Sequence, residues 1–186
     1  MLRGFEMKKK TCFFAHNHRD SADEFKKLLK ERIIDLSNGE IKVIFDKDDF
    51  GVADDVLDKE NLIAKSTTVV LFMSPEYKNK IEAKNESSGS YREYKKIIRR
   101  LAKNKGFLIP VLVSGNIDSA IPEKLRNIIF QDATKHNMRF NEDDPYLKYS
   151  RDKELNQYAN CIIDRTNLLY KLSSEKYDNS KEAANN

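Results

Sequence analysis

One carboxylate and a few amide, hydroxyl and imidazole groups stand where this chain could do chemistry. The run Val69-Val70-Leu71-Phe72-Met73 ends at Ser74-Pro75-Glu76-Tyr77, and Gly89-Ser90-Tyr91-Arg92-Glu93-Tyr94 follows a polar stretch. A continuous, β-branched apolar run predicts a strand buried on both faces. The proline after Ser74 forbids the next ladder bond and opens a loop. Glu93 then falls in the first turn of the next helix, on its solvent side. Phe13-Phe14-Ala15 likewise runs into His16-Asn17-His18, and Ile41 to Phe45 into Asp46. A lone carboxylate among amides and hydroxyls can hold the hydroxyls of a sugar and favour positive charge developing on its ring.

Each of these residues also has a plain structural use. Glu93 could be a helix-start acid favoured by the helix dipole. Ser74 could simply end a strand before proline. Asn17 offers both a donor and an acceptor, and Asp46 could bind ribose or cap its loop. Phe50 and Tyr77 could stack a base or cover a pocket, though aromatic rings more often pack. His16 and His18 could touch phosphate or a ring amide, or sit in a solvated loop. As metal ligands they lack further partners, so no metal is expected. The acidic stretch Asp48, Asp49, Asp54, Asp55 and Asp58 fails the calcium-loop spacing. The chain has no P-loop, no G-x-G-x-x-G and no nucleophile elbow, which argues against ordinary ATPase, dehydrogenase and hydrolase roles.

The elements that must position these residues alternate along the chain. Strands are expected at Thr11–Ala15, Ile41–Phe45, Thr67–Met73 and Phe107–Val113, with a weak fifth at Asn127–Phe130. Pro110 suggests that the fourth lies near an edge or is bulged. Ser21-Ala22-Asp23-Glu24 matches a capping box ahead of Phe25, Leu28, Leu29 and Ile33 at helical spacing. A second helix carries Val56, Leu57, Leu62 and Ile63, and a third carries Tyr94, Ile97, Ile98 and Leu101. A short helix start is expected at Ile121–Leu125. A closing helix runs from Leu155 to Leu172, and the polar tail 173–186 is expected to be disordered. Strands alternating with helices require parallel pairing and right-handed crossovers. The expected fold is therefore a flavodoxin-like doubly wound parallel five-stranded sheet in the order 2-1-3-4-5. In that order the sheet reverses between strands 1 and 3, and a ligand crevice opens at their carboxyl ends. His16, Asn17, Ser74 and Tyr77 converge there, with Glu93 following.

Composition narrows the remaining classes. The 186 residues make one domain, expected at 10–172 after a short extension over 1–9. Lys and Arg number 34 against 30 for Asp and Glu, a scattered net charge of +4 that is no nucleic-acid footprint. No apolar stretch approaches the ~20 residues of a membrane span. The basic start Met7-Lys8-Lys9-Lys10 precedes an apolar run too short for a signal peptide. Cys12 and Cys161, far apart and without framework spacing, are expected as packed, reduced thiols. These points predict a cytoplasmic protein without nucleic-acid or membrane partners.

The same residues resemble a known family. Phe13-Phe14-Ala15-His16-Asn17-His18-Arg19-Asp20 is similar to the first box of Toll/interleukin-1 receptor (TIR) domains. Phe45-Asp46-Lys47-Asp48-Asp49-Phe50-Gly51 resembles the second box and its BB loop. Leu71-Phe72-Met73-Ser74-Pro75-Glu76-Tyr77 resembles the bacterial third-strand motif, and Gly89-Ser90-Tyr91-Arg92-Glu93 the stretch with the NAD-cleaving glutamate. The resemblance spans about Lys10 to Leu172. It implies a TIR fold and a catalytic Glu93, with His16, Asn17, Asp46, Phe50, Ser74 and Tyr77 binding substrate. NAD is then a substrate rather than a cofactor. It further implies TIR–TIR self-association and an antiphage role of the stand-alone Thoeris kind, with an effector sensing the product. Two alternatives stand beside it: a non-enzymatic TIR adaptor working through Asp46–Val52, and a nucleoside deoxyribosyltransferase-like enzyme of similar fold.

Overall fold

A computed structural model of the chain describes residues 10–17, 22–45, 56–104, 106–137 and 145–184. Apolar runs become five strands: β1 (Lys10–Ala15), β2 (Ile41–Ile44), β3 (Thr68–Met73), β4 (Leu108–Leu112) and β5 (Gln131–Asp132). They form one parallel sheet in the order β2-β1-β3-β4-β5, the expected doubly wound arrangement. All six residues of β3 are buried, as a strand covered on both faces requires.

Helices cover both faces. They are α1 (Asp23–Leu36), α2 (Val56–Lys65), α3 (Pro75–Glu82), α4 (Gly89–Leu101), α5 (Ile117–Ala120), α6 (Thr134–Asn137) and α7 (Pro145–Ala184), with a 3-10 turn at Glu123–Leu125. The strand period of two sends neighbouring side chains to opposite layers. Cys12, Phe14, Val70, Phe72 and Val111 pack under Phe25, Leu29 and Ile33 of α1 and Leu155, Ala159 and Ile162 of α7. Phe13, Ala15, Val69, Leu71 and Met73 pack with Ile63 of α2, Tyr77 and Ile81 of α3 and Tyr94 and Ile97 of α4. The edge-on rings Phe14–Phe72 and Phe25–Phe72, at centroid distances of 5.0 and 6.4 Å, lock α1 onto the central strands.

Turn chemistry explains where α1 ends. Asn38 and Gly39 take φ of 49° and 72°, and the Gly39 N–H donates to the Ile34 carbonyl at 2.9 Å. This closes the helix in the left-handed conformation that glycine tolerates best.

Several expectations are corrected. The stretch after Ser74 is not all loop, because α3 starts there. Ser74 Oγ accepts from the Tyr77 N–H at 3.1 Å, and Pro75 sits in the first turn, where its missing N–H costs nothing. β5 falls at Gln131–Asp132 rather than 127–130, leaving Ile129 94% exposed. Pro110 does lie near an edge, as expected, in an unbulged strand one place in from it. Val113 donates to Met73 and Leu112 accepts from Ala133, so odd residues of β4 face β3 and even ones face β5. Pro110 thus turns its missing donor toward β5, whose pairing starts only at Val111↔Gln131. α7 is longer than expected and continues through most of the tail to Ala184. α1 starts after Ala22, and Ser21 of the expected capping box lies outside the described residues. Cys12 is buried as expected, but Cys161 is exposed rather than packed. No helix among the described residues is long and apolar enough to cross a membrane.

Candidate functional site

The reversal between β1 and β3 brings the ends of Ala15 and Met73 side by side, and the next residues of both strands are buried polar ones. His16, Asn17 and Ser74 are 5%, 2% and 0% exposed. Burying polar groups costs free energy unless they are hydrogen-bonded, so their partners define the local structure. His16 Nε2 lies 3.4 Å from the Phe45 carbonyl, and its ring sits 4.6 Å from the Phe45 ring. This ties the end of β1 to the end of β2. Ser74 caps α3 through its Oγ.

Asn17 joins the two helical layers. Its backbone carbonyl accepts from Lys26 Nζ of α1 at 3.2 Å, and its side-chain Oδ1 accepts from Lys80 Nζ of α3. Lys26 is fully buried, paired with Asp23 at 3.1 Å and 5.9 Å over the Phe72 ring. Asn17 thus bridges α1 and α3 at the topological switch point between β1 and β3.

Glu93 corrects the sequence reading most. α4 begins at Gly89, so its first turn has no acid and Glu93 lies in the second turn. It is 7% exposed, not solvent-facing. The dipole of the first turn therefore does not account for it. Tyr77 is fully buried, and its hydroxyl has no hydrogen-bond partner among the described residues. Burial, then the negative charge of nearby Glu93, then Tyr94 push that hydroxyl well above the ordinary tyrosine range. The Tyr77 ring has no open face, so it is a core ring beside Glu93 rather than a platform on which a base could stack.

Asp46 and Phe50 lie outside the described residues, as do His18 and the acidic run 48–55. Sequence reasoning missed Lys26 and Lys80. Lys26 had a legible signal, since it falls on the apolar stripe Ala22, Phe25, Leu29, Ile33. Lys80 had none without α3. No group of three or more His, Cys, Asp and Glu residues is placed to hold a metal among the described residues. A cavity of about 750 Å³ lies elsewhere, lined in part by Thr11, Thr67, Arg100 and Tyr170 near the amino ends of β1 and β3.

A parallel five-stranded sheet in this order, covered by helices on both faces, defines a doubly wound α/β class of domain. A sequence model described as TIR domain matches residues 13–146, and the chain belongs to that family. No curated protein matches the chain. Among solved structures the chain is similar to the TIR domains of the activated Roq1 resistosome directly recognizing the pathogen effector XopQ. Identity there is 17% over 85% of this chain and 84% of that chain, with a TM-score of 0.49. It is also similar to a prokaryotic SEFIR domain, with 16% identity over 81% of this chain and 92% of that chain and a TM-score of 0.49.

Proposed function

We propose that this chain is an enzyme of the NAD-cleaving TIR kind, which breaks the bond between nicotinamide and ribose. The single observation that carries the reading is the burial of Glu93 close enough to Tyr77 for its charge to act on the tyrosine hydroxyl. A buried carboxylate is costly, and buried titratable groups in clefts are favoured candidates for chemistry. The nicotinamide of NAD leaves as a neutral molecule from a cationic ring and needs no acid. The barrier lies in the positive charge that grows on the ribose. A fixed carboxylate in a site of low dielectric favours that charge more in the transition state than in the ground state. Glu93 takes this role. Asn17 and Ser74 supply hydrogen bonds to ribose or amide.

The fate of the sugar depends on which nucleophile reaches it: water, a group of the same nucleotide, or a second molecule. Hydrolysed, cyclic and conjugated products therefore share one site. An antiphage role in a bacterial cell follows, through a nucleotide signal read by a separate effector, as in Thoeris systems. Purified protein incubated with NAD should release free nicotinamide, and the mass of the other product names the reaction. No release by the protein at any concentration, with or without crowding agents, would leave the adaptor alternative standing.

A further inference from the structure

We propose that the cavity at the amino edge of the sheet is a second ligand site, built for a small aromatic carboxylate. It lies at the opposite end of β1 and β3 from His16, Asn17 and Ser74, so it does not rest on the NAD reading. Its volume of about 750 Å³ is that of a pocket for a small organic molecule. Leu62 and Leu169 give it apolar walls, and the Tyr170 ring adds a flat one.

The charged part of the lining has one sign. Lys65 and Arg100 line the cavity, and no Asp or Glu is among the lining residues. Arg100 is the fixed cation of the two. It stands half-buried in the last turn of α4, with its guanidinium 4.0 Å from the centre of the Phe107 ring. Its Nη1 donates to the Ile63 carbonyl at 2.6 Å and its Nη2 to the Thr67 carbonyl at 3.4 Å. These bonds hold the group at the end of α2 and use only part of the guanidinium fork. Burial draws Arg100 below the ordinary arginine range, because neutral carbonyls replace only part of the hydration that its charge gives up. A carboxylate would meet the rest of the fork and supply the missing negative charge. Lys10 differs: it lies 5.7 Å from the centre of the Tyr170 ring but already has Glu40 at 2.8 Å. Thr11 and Thr67 add two more donors. Thr11 Oγ1 accepts from the Thr67 N–H at 3.2 Å and Thr67 Oγ1 from the Thr11 N–H at 3.3 Å, so each hydroxyl keeps its proton to donate. Cations and hydroxyl donors beside apolar walls select an anion with a flat apolar body.

The test is calorimetric titration of the full chain with naphthoate, with its neutral analogue naphthylmethanol and with inorganic phosphate. Wild type should bind naphthoate saturably, more weakly as salt rises, and should bind it more tightly than either of the others. Naphthoate should shift the amide resonances of Ala64 to Thr67 and of Arg100 and Asn104. Arg100→Met should bind it about ten- to a hundredfold more weakly, the size of a lost charge-assisted hydrogen bond. Lys65 and Ala64 are exposed, so Lys65→Met and Ala64→Trp should keep the wild-type thermal midpoint. Lys65→Met should lose about two- to fivefold in affinity, and Ala64→Trp should block binding by filling the cavity. If Arg100→Met fails to fold, these two variants decide. No saturable binding by wild type, equal binding of naphthylmethanol, resonance shifts confined to other residues, or wild-type affinity in the folded variants overturns the site.

Discussion

Glu93 and Tyr77 show how two buried polar residues separate chemistry from stability. Glu93→Gln keeps the size and hydrogen-bonding reach of the side chain and removes its charge. Nicotinamide release should fall below detection while the circular dichroism spectrum stays that of wild type. Near-full activity in the variant would assign the chemistry to another residue. Tyr77→Phe removes a desolvated hydroxyl that has no described partner. Deleting such a group is neutral or stabilising, so the variant should gain up to about 1 kcal/mol in urea unfolding. Cys12 sets a different test. Burial pushes its thiol up to about 12, against 9.0 when unburied. The folded chain then holds a proton that the unfolded chain has released. This stabilisation is complete below pH 9.0 and is lost as pH rises towards about 12. Thermal midpoints from about pH 8 to about pH 11 should fall more steeply for wild type than for Cys12→Ala. Parallel curves would refute the assignment.

At the scale of elements, the short helix α3 carries most of the site. It begins at the Ser74 cap, buries Tyr77 against Glu93 and ends its reach with Lys80 on Asn17. Ser74→Ala should cost about 1 kcal/mol through the lost cap and loosen the helix that holds the other two. Asn17→Ala should weaken kcat/KM for NAD roughly three- to tenfold, the size of one lost neutral hydrogen bond. The double change should cost less than the sum of the single ones if both residues meet one ligand group. Additive losses would place their effects on separate parts of the ligand. α7 behaves oppositely. Among its residues 150–175 the deeply buried ones end at Thr166, and residues 171–175 are exposed. Truncation after Ser174 should shift unfolding by less than about 0.5 kcal/mol.

For the whole molecule, the open question is whether one copy suffices. Phe50 in the BB-like segment is the proposed apolar anchor for contact between copies, and it lies outside the described residues. Specific activity should rise with protein concentration or in a crowding agent. Phe50→Ala should flatten that rise without lowering the thermal midpoint if its ring serves contact between copies. A specific activity constant across a wide dilution series would show that a single copy is the complete catalyst.

The sheet is legible in the sequence because local pattern and global fold agree there. Runs such as Val69–Met73 cannot be solvated, and strands separated by helices can pair only in parallel, which leads to β2-β1-β3-β4-β5. His16, Asn17 and Ser74 are legible for the same reason, as the first polar residues after central strands. Other features depend on contacts that sequence spacing does not encode. Ser74-Pro75 suits both a loop and a helix start, and only packing of Tyr77 and Ile81 on the sheet selects α3. Glu93 reads as a surface acid until the start of α4 rotates it inward. Lys80 reads as one of many surface lysines, and only the return of α3 over β1 brings it to Asn17. Strand order follows from solvation and chirality, which act on every residue alike; the partners of buried charges follow from where two distant segments meet, and only the folded chain decides that.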